Sequence, residues 1–121
     1  MQIGQLAQQT GFSRDTIRYY EKIGLITPRM FDKAESGYRY YNHEAIDLLE
    51  FVKLAKNYGC TLNEIKSYYQ ENKGVSYNCE LLVPQMKSKV LEINEKMRLL
   101  EAQKKRLEEG LELISDLCNI Q

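Results

Sequence analysis

The sequence has no long apolar run, no excess of charge of either sign and only one histidine. Without an apolar stretch of spanning length, or a basic-then-apolar pattern at the N-terminus, neither a membrane helix nor a signal peptide is expected. Three cysteines in such a chain read as free thiols in a reducing compartment, which places the protein in the cytoplasm. A single histidine gives no acid–base set. With no Gly-rich phosphate loop and no nucleophile motif either, the protein is not expected to be an enzyme.

What is present is the material of one modest domain plus an extension. The 121 residues are 43% apolar and 28% charged, with 17 basic and 17 acidic side chains. The distribution says more than the total. Residues 1–41 carry six Lys/Arg against four Asp/Glu, together with five of the nine tyrosines. That small basic excess fits many surfaces, so motifs must decide the reading. No internal repeat or low-complexity segment occurs.

Ile3, Leu6, Ala7 and Thr10 recur at helical spacing, and Gly11 follows as a tight turn. Ser13 is a good N-cap for a second helix, which Ile17, Tyr20 and Glu21 continue and Gly24 ends. Two short helices about a glycine turn make a helix-turn-helix. Pro28 cannot extend a helix, Ser36-Gly37 marks a turn, and Tyr38-Arg39-Tyr40-Tyr41 favours β-structure, so a small hairpin is predicted beside it. Asn42 caps a third helix with apolar face Ala45, Ile46, Leu48, Leu49, Val52 and Ala55. Thr61-Leu62-Asn63-Glu64 opens a fourth as a capping box. The head is thus predicted over residues 1–73. Residues 74–121 are predicted as a linker and one long helix, with Pro84 in its first turn.

From Cys79 the long helix carries a 4-3 apolar seam: Val83, Met86, Val90, Ile93, Met97, Leu100, Leu107, Leu111 and Ile114, ending at Cys118. A lone helix of roughly 57 Å, at about 1.5 Å per residue, cannot bury such a stripe. Its own copy is the obvious partner.

Ser13-Arg14-Asp15-Thr16-Ile17-Arg18-Tyr19-Tyr20-Glu21 is the sharpest element. A recognition helix presents polar and cationic groups near its N-terminus while its other face stays packed. Arg14 and Arg18 are four apart and share a face; Thr16 and Tyr19 lie near it. An ordinary surface helix with two arginines has the same spacing. Arginine and tyrosine on the hairpin suit phosphate contacts, and strand alternation sends some of its tyrosines into the core and others outward.

Ile3-Gly4-Gln5-Leu6-Ala7, Thr16-Ile17-Arg18-Tyr19-Tyr20-Glu21, Gly24-Leu25-Ile26 and Gly37-Tyr38-Arg39-Tyr40-Tyr41 together resemble the MerR family of transcription regulators. The resemblance runs through essentially the whole chain, in the short form without a separate effector domain. It implies a mostly α fold, a winged helix-turn-helix head and an antiparallel dimerisation coiled coil. It also implies a homodimer on a pseudo-palindromic promoter, where DNA bending and untwisting realign the elements read by RNA polymerase. By the motif match, Arg14, Thr16, Arg18 and Tyr19 contact DNA from the helix, and Tyr38, Arg39 and Tyr41 from the wing. The segment Arg29–Glu35 is longer than the common pattern, and no contact is carried over to Arg29 or Lys33.

The effector is left open. If the two-fold axis passes between Met97 and Leu100, Cys79 of one copy meets Cys118 of the other. Such a thiolate pair binds a soft ion such as Cu(I), or forms part of a Zn site that needs more ligands. Divalent-ion sensors of the family place a cysteine where Cys79 stands. An intersubunit disulfide and plain apolar packing are the other readings of this pair. Cys60, beside the fourth helix N-terminus, reads either as an activated thiol or as a buried structural one. His43 reads as a surface or cap residue. A small organic effector, no effector at all, and an architectural DNA binder remain alternatives.

Overall fold

The computed structural model describes residues 1–119, so the expectations for Ile120 and Gln121 lie outside the described residues. It divides into two compact units, Met1–Tyr77 and Asn78–Gln121.

In the first unit, α1 (Ile3–Thr10) and α2 (Arg14–Lys22) form the helix-turn-helix. The turn works because Gly11 takes φ +82°, a left-handed value that side chains resist. Ser13 Oγ then accepts the Thr16 amide at 3.1 Å and starts α2. At the far end Gly24, also at φ +82°, lets the Leu25 and Ile26 amides fold back onto the Tyr20 carbonyl, at 2.9 and 3.1 Å. A short 3-10 turn, Pro28–Met30, leads into an antiparallel hairpin of β1 (Phe31–Lys33) and β2 (Arg39–Tyr41). Its register pairs Phe31 with Tyr41, Asp32 with Tyr40 and Lys33 with Arg39.

α3 (His43–Asn57) begins on Asn42, whose side chain accepts from the Glu44 amide. α4 (Leu62–Asn72) begins on the predicted capping box, with the Thr61 and Glu64 side chains bonding reciprocally. These elements close over Leu6, Ile17, Tyr20, Leu25, Ile26, Met30, Leu48, Leu49, Val52 and Ile65, all buried. The apolar face predicted for α3 is the one that packs, with Ile46 at its half-buried edge.

The second unit is α5 (Cys79–Cys118), a 40-residue helix with no buried residue. Asn78 caps it, accepting from the Glu80 and Leu81 amides. The helix starts at Cys79 as predicted, which makes Pro84 its sixth residue, in the second turn and not the first. There it removes the N–H that Glu80's carbonyl would have used, and the helix continues through it. Along the predicted seam, Val83 through Ile114 are 43% to 67% exposed. No described helix is long and apolar enough to cross a membrane.

Candidate nucleic-acid interface

The exposed face of α2 follows from what the core takes. Ile17 and Tyr20 point inward, one helical turn apart, so Arg14, Arg18 and Tyr19 are left outward. Arg18 Nη1 makes a long contact to Asp15 Oδ1, 3.4 Å, between two exposed side chains; solvent screening leaves it free to exchange Asp15 for another anion. Thr16 is half-buried, and its hydroxyl lies 2.8 Å from that of Ser13.

The wing stands against the same surface. Met1 and Tyr41 bond backbone to backbone in both directions, which fixes β2 beside the start of α1. Between the first turn of α1, the outer face of α2 and β2 runs an open groove of about 710 Å³. Three arginines, Arg14, Arg18 and Arg39, line it against one carboxylate, Glu21. A groove with that charge balance, walled by a helix and a hairpin, suits a phosphodiester backbone.

One wing residue is placed otherwise than the sequence expectation has it, and a second has partners within the head. Tyr41 is only 4% exposed, its ring edge-on to Phe31 with centroids 5.6 Å apart. Burial, and secondarily Glu21, push its phenol above the ordinary value and keep it neutral. It is a core residue and not an exposed DNA contact. Alternation along β2 puts Tyr40 outward in its place, on the same side as the exposed Tyr38. Arg39 is committed within the head. Its Nε lies 2.8 Å from Glu21 Oε1, and its guanidinium covers the Phe31 ring at 5.1 Å. The approach to Glu21 is an ion pair whose angle does not make a hydrogen bond. Arg39 therefore ties the wing to the recognition helix. Sequence reading also missed the first turn of α1, whose Gly4 and Gln5 line the groove.

Behind this surface a polar cluster joins the wing's entry to α3 and α4. Arg29 Nε donates to both Glu44 oxygens at 3.2 Å, and Tyr69 also bonds to that carboxylate. The Arg29 hydrogen bonds, then that of Tyr69, hold the Glu44 carboxyl below its ordinary value. Lys66 Nζ donates to the Ile23 carbonyl at 2.7 Å, at the end of the recognition helix. Arg29, unassigned from sequence, thus braces the wing's entry against α3 from an exposed position.

Cys60 is half-buried; Cys79 and Cys118 are exposed, and all three are free thiols. Cys79 and Cys118 close the two ends of the 40-residue α5. At about 1.5 Å per residue that is a separation of roughly 58 Å. One chain cannot bring them to a common ion. Among the described residues no three His, Cys, Asp or Glu side chains gather as a metal site.

The family model described as "MerR HTH family regulatory protein" matches residues 1–72. A mercuric resistance operon regulatory protein of Bacillus cereus is 46% identical over 63 residues, covering 52% of this chain and 46% of that protein. An uncharacterized HTH-type transcriptional regulator of Pseudomonas aeruginosa is 30% identical over 115 residues, covering 93% of this chain and 83% of that one. The chain spans about half the length of several curated relatives it matches. Among solved structures, a transcription regulator from Ralstonia metallidurans in complex with lead(II) aligns with a TM-score of 0.75 at 23% identity, over 90% of this chain and 84% of that one. At that identity the likeness is one of fold.

Proposed function

The chain belongs to the MerR family of helix-turn-helix regulatory proteins, and on that premise we propose that it regulates transcription by binding promoter DNA as a homodimer. The observation that carries the DNA reading is the arginine-lined groove between α1, α2 and β2. Arg14, Thr16, Arg18 and Tyr19 contact the duplex from the recognition helix, and Tyr38 and Arg39 from the wing. Tyr40 joins them, because it occupies the outward position that the sequence reading gave to Tyr41.

Dimerisation rests on the apolar seam of α5, exposed from end to end. Burying a Leu, Ile, Val or Met side chain is worth about 1.5–3 kcal/mol, so nine such residues in 4-3 register favour a second helix strongly. An antiparallel pair places one head at each end and suits a pseudo-palindromic site. A dimer that grips two half-sites at fixed separation acts on the DNA between them by bending and untwisting it, which changes how RNA polymerase meets the promoter. The test is selection from a pool of random duplexes. Enrichment of an inverted repeat supports the reading, and retention of DNA without sequence preference refutes it.

A second reading, a soft-metal sensor, is favoured by one observation: two exposed thiols terminate the same seam. An antiparallel partner would set Cys79 beside Cys118 of the other copy. Two thiolates suit Cu(I); a Zn site needs further ligands. The relative named for mercuric resistance matches over only 52% of this chain. Titration of the reduced dimer with soft ions, read by cysteine alkylation, decides. Joint protection of Cys79 and Cys118 supports the sensor, and full reactivity with every ion removes it.

A further inference from the structure

Arg14 opens the recognition helix, but what seats its guanidinium lies on a different helix. No carboxylate among the described residues pairs with Arg14. The first turn of α1, which it approaches, contains no acidic residue. The missing side chain at Gly4 leaves room for it there. A Cβ built on Gly4 would lie 2.6 Å from Arg14 Nη2 and 3.3 Å from Arg14 Cζ. The first distance is well inside van der Waals contact, so with any other residue at position 4 the guanidinium must move.

Gly4 is not required by its own backbone. It lies within α1, in ordinary helical conformation. Alanine is intrinsically the better helix former there, because glycine loses more conformational freedom on folding. A glycine that the helix does not need, directly beneath a cation that no acid holds, is explained by the room it leaves. We propose that Gly4 is a positioning residue for DNA recognition: its bare backbone seats the Arg14 guanidinium over the first turn of α1 and aims it into the groove. The inference rests on Arg14 being a DNA contact. Arginine has many rotamers, and confining it before the duplex arrives lowers the ordering entropy of binding. The three atoms nearest to a Cβ at position 4 all belong to the Arg14 guanidinium, so a methyl there meets that group first.

The experiment uses the full chain in four forms: unchanged, Gly4→Ala, Arg14→Ala and both together. Operator affinity is read at fixed salt, and the thermal midpoint is read alongside. Arg14→Ala should weaken binding by about fivefold or more, as for a lost direct contact. Gly4→Ala should weaken it by about three- to tenfold while the midpoint holds or rises. In the Arg14→Ala background, Gly4→Ala should change nothing further. An equal loss in both backgrounds, or no loss in the unchanged chain, overturns the positioning role. If Arg14→Ala leaves affinity intact, the contact reading itself falls, which is a different outcome. Arg14→Lys tests the seat with Gly4 in place: it retains charge but not the planar fork, and should lose affinity much as Gly4→Ala does. Full affinity in that variant would also refute the seat.

Discussion

Arg39→Ala separates two roles for the wing arginine. The structure gives Arg39 two partners, the Glu21 carboxylate at 2.8 Å and the face of Phe31 at 5.1 Å. The ion pair is partly exposed, with side-chain accessibilities of 33% and 26%, so solvent screening limits it to about 0.5–1 kcal/mol. The cation–π contact adds about 0.5–1 kcal/mol. Losing both lowers head stability by about 1–2 kcal/mol. For a unit of this size that is a fall in thermal midpoint of about 5–15 °C. Glu21→Gln, which leaves the guanidinium over Phe31, should show about half that fall. The assay is thermal unfolding of the full chain followed by circular dichroism, with operator affinity measured on the same samples. An unchanged midpoint combined with a large loss of affinity would refute the brace and leave Arg39 as a direct contact alone.

Three further outcomes follow from other parts of the molecule. Arg18→Ala should leave the midpoint nearly unchanged, since its partner Asp15 is fully solvated, while weakening operator binding by about 1–3 kcal/mol in anisotropy titrations. If each Arg18 of the dimer holds a phosphate, the salt slope should also fall by about 1.8, about 0.9 for each of the two copies. Glu44 is ionised more readily folded than unfolded. Its contribution is complete above the ordinary carboxyl value of 4.5 and is lost as pH falls through its lower folded value. Stability curves of the unchanged chain and Glu44→Gln should therefore converge as pH drops from about 5 to 3, and parallel curves would contradict the Arg29–Glu44 assignment. Val90→Asp places a charge in the middle of the apolar seam, and sedimentation should show monomer where the unchanged chain sediments as dimer.

Local chemistry was legible in the sequence wherever a single residue decides a boundary. Ser13, Asn42 and Thr61 with Glu64 cap the helices as read, and Gly11 and Gly24 mark the turns. The wing's existence was legible, but its facing was not. Strands of three residues give period-2 alternation almost nothing to act on, and Tyr38, Tyr40 and Tyr41 are chemically alike. The pairing of Phe31 with Tyr41 settles it. The start at Cys79 was legible, and it makes Pro84 the sixth residue of the helix, in the second turn and not the first. Arg39 with Glu21, Arg29 with Glu44 and Tyr69, and Gly4 with Arg14 are contacts between elements distant in sequence. No spacing rule reaches them; they appear once the helices and hairpin are assembled.

Hydroxyl-radical footprinting of the dimer on a duplex recovered by selection reads both heads on the DNA at once. Two protected patches related by the dyad of an inverted repeat are expected, each needing more protein for half-protection in Arg14→Ala and Arg18→Ala. Uniform protection along the duplex, or a footprint unaffected by both substitutions, would contradict that expectation.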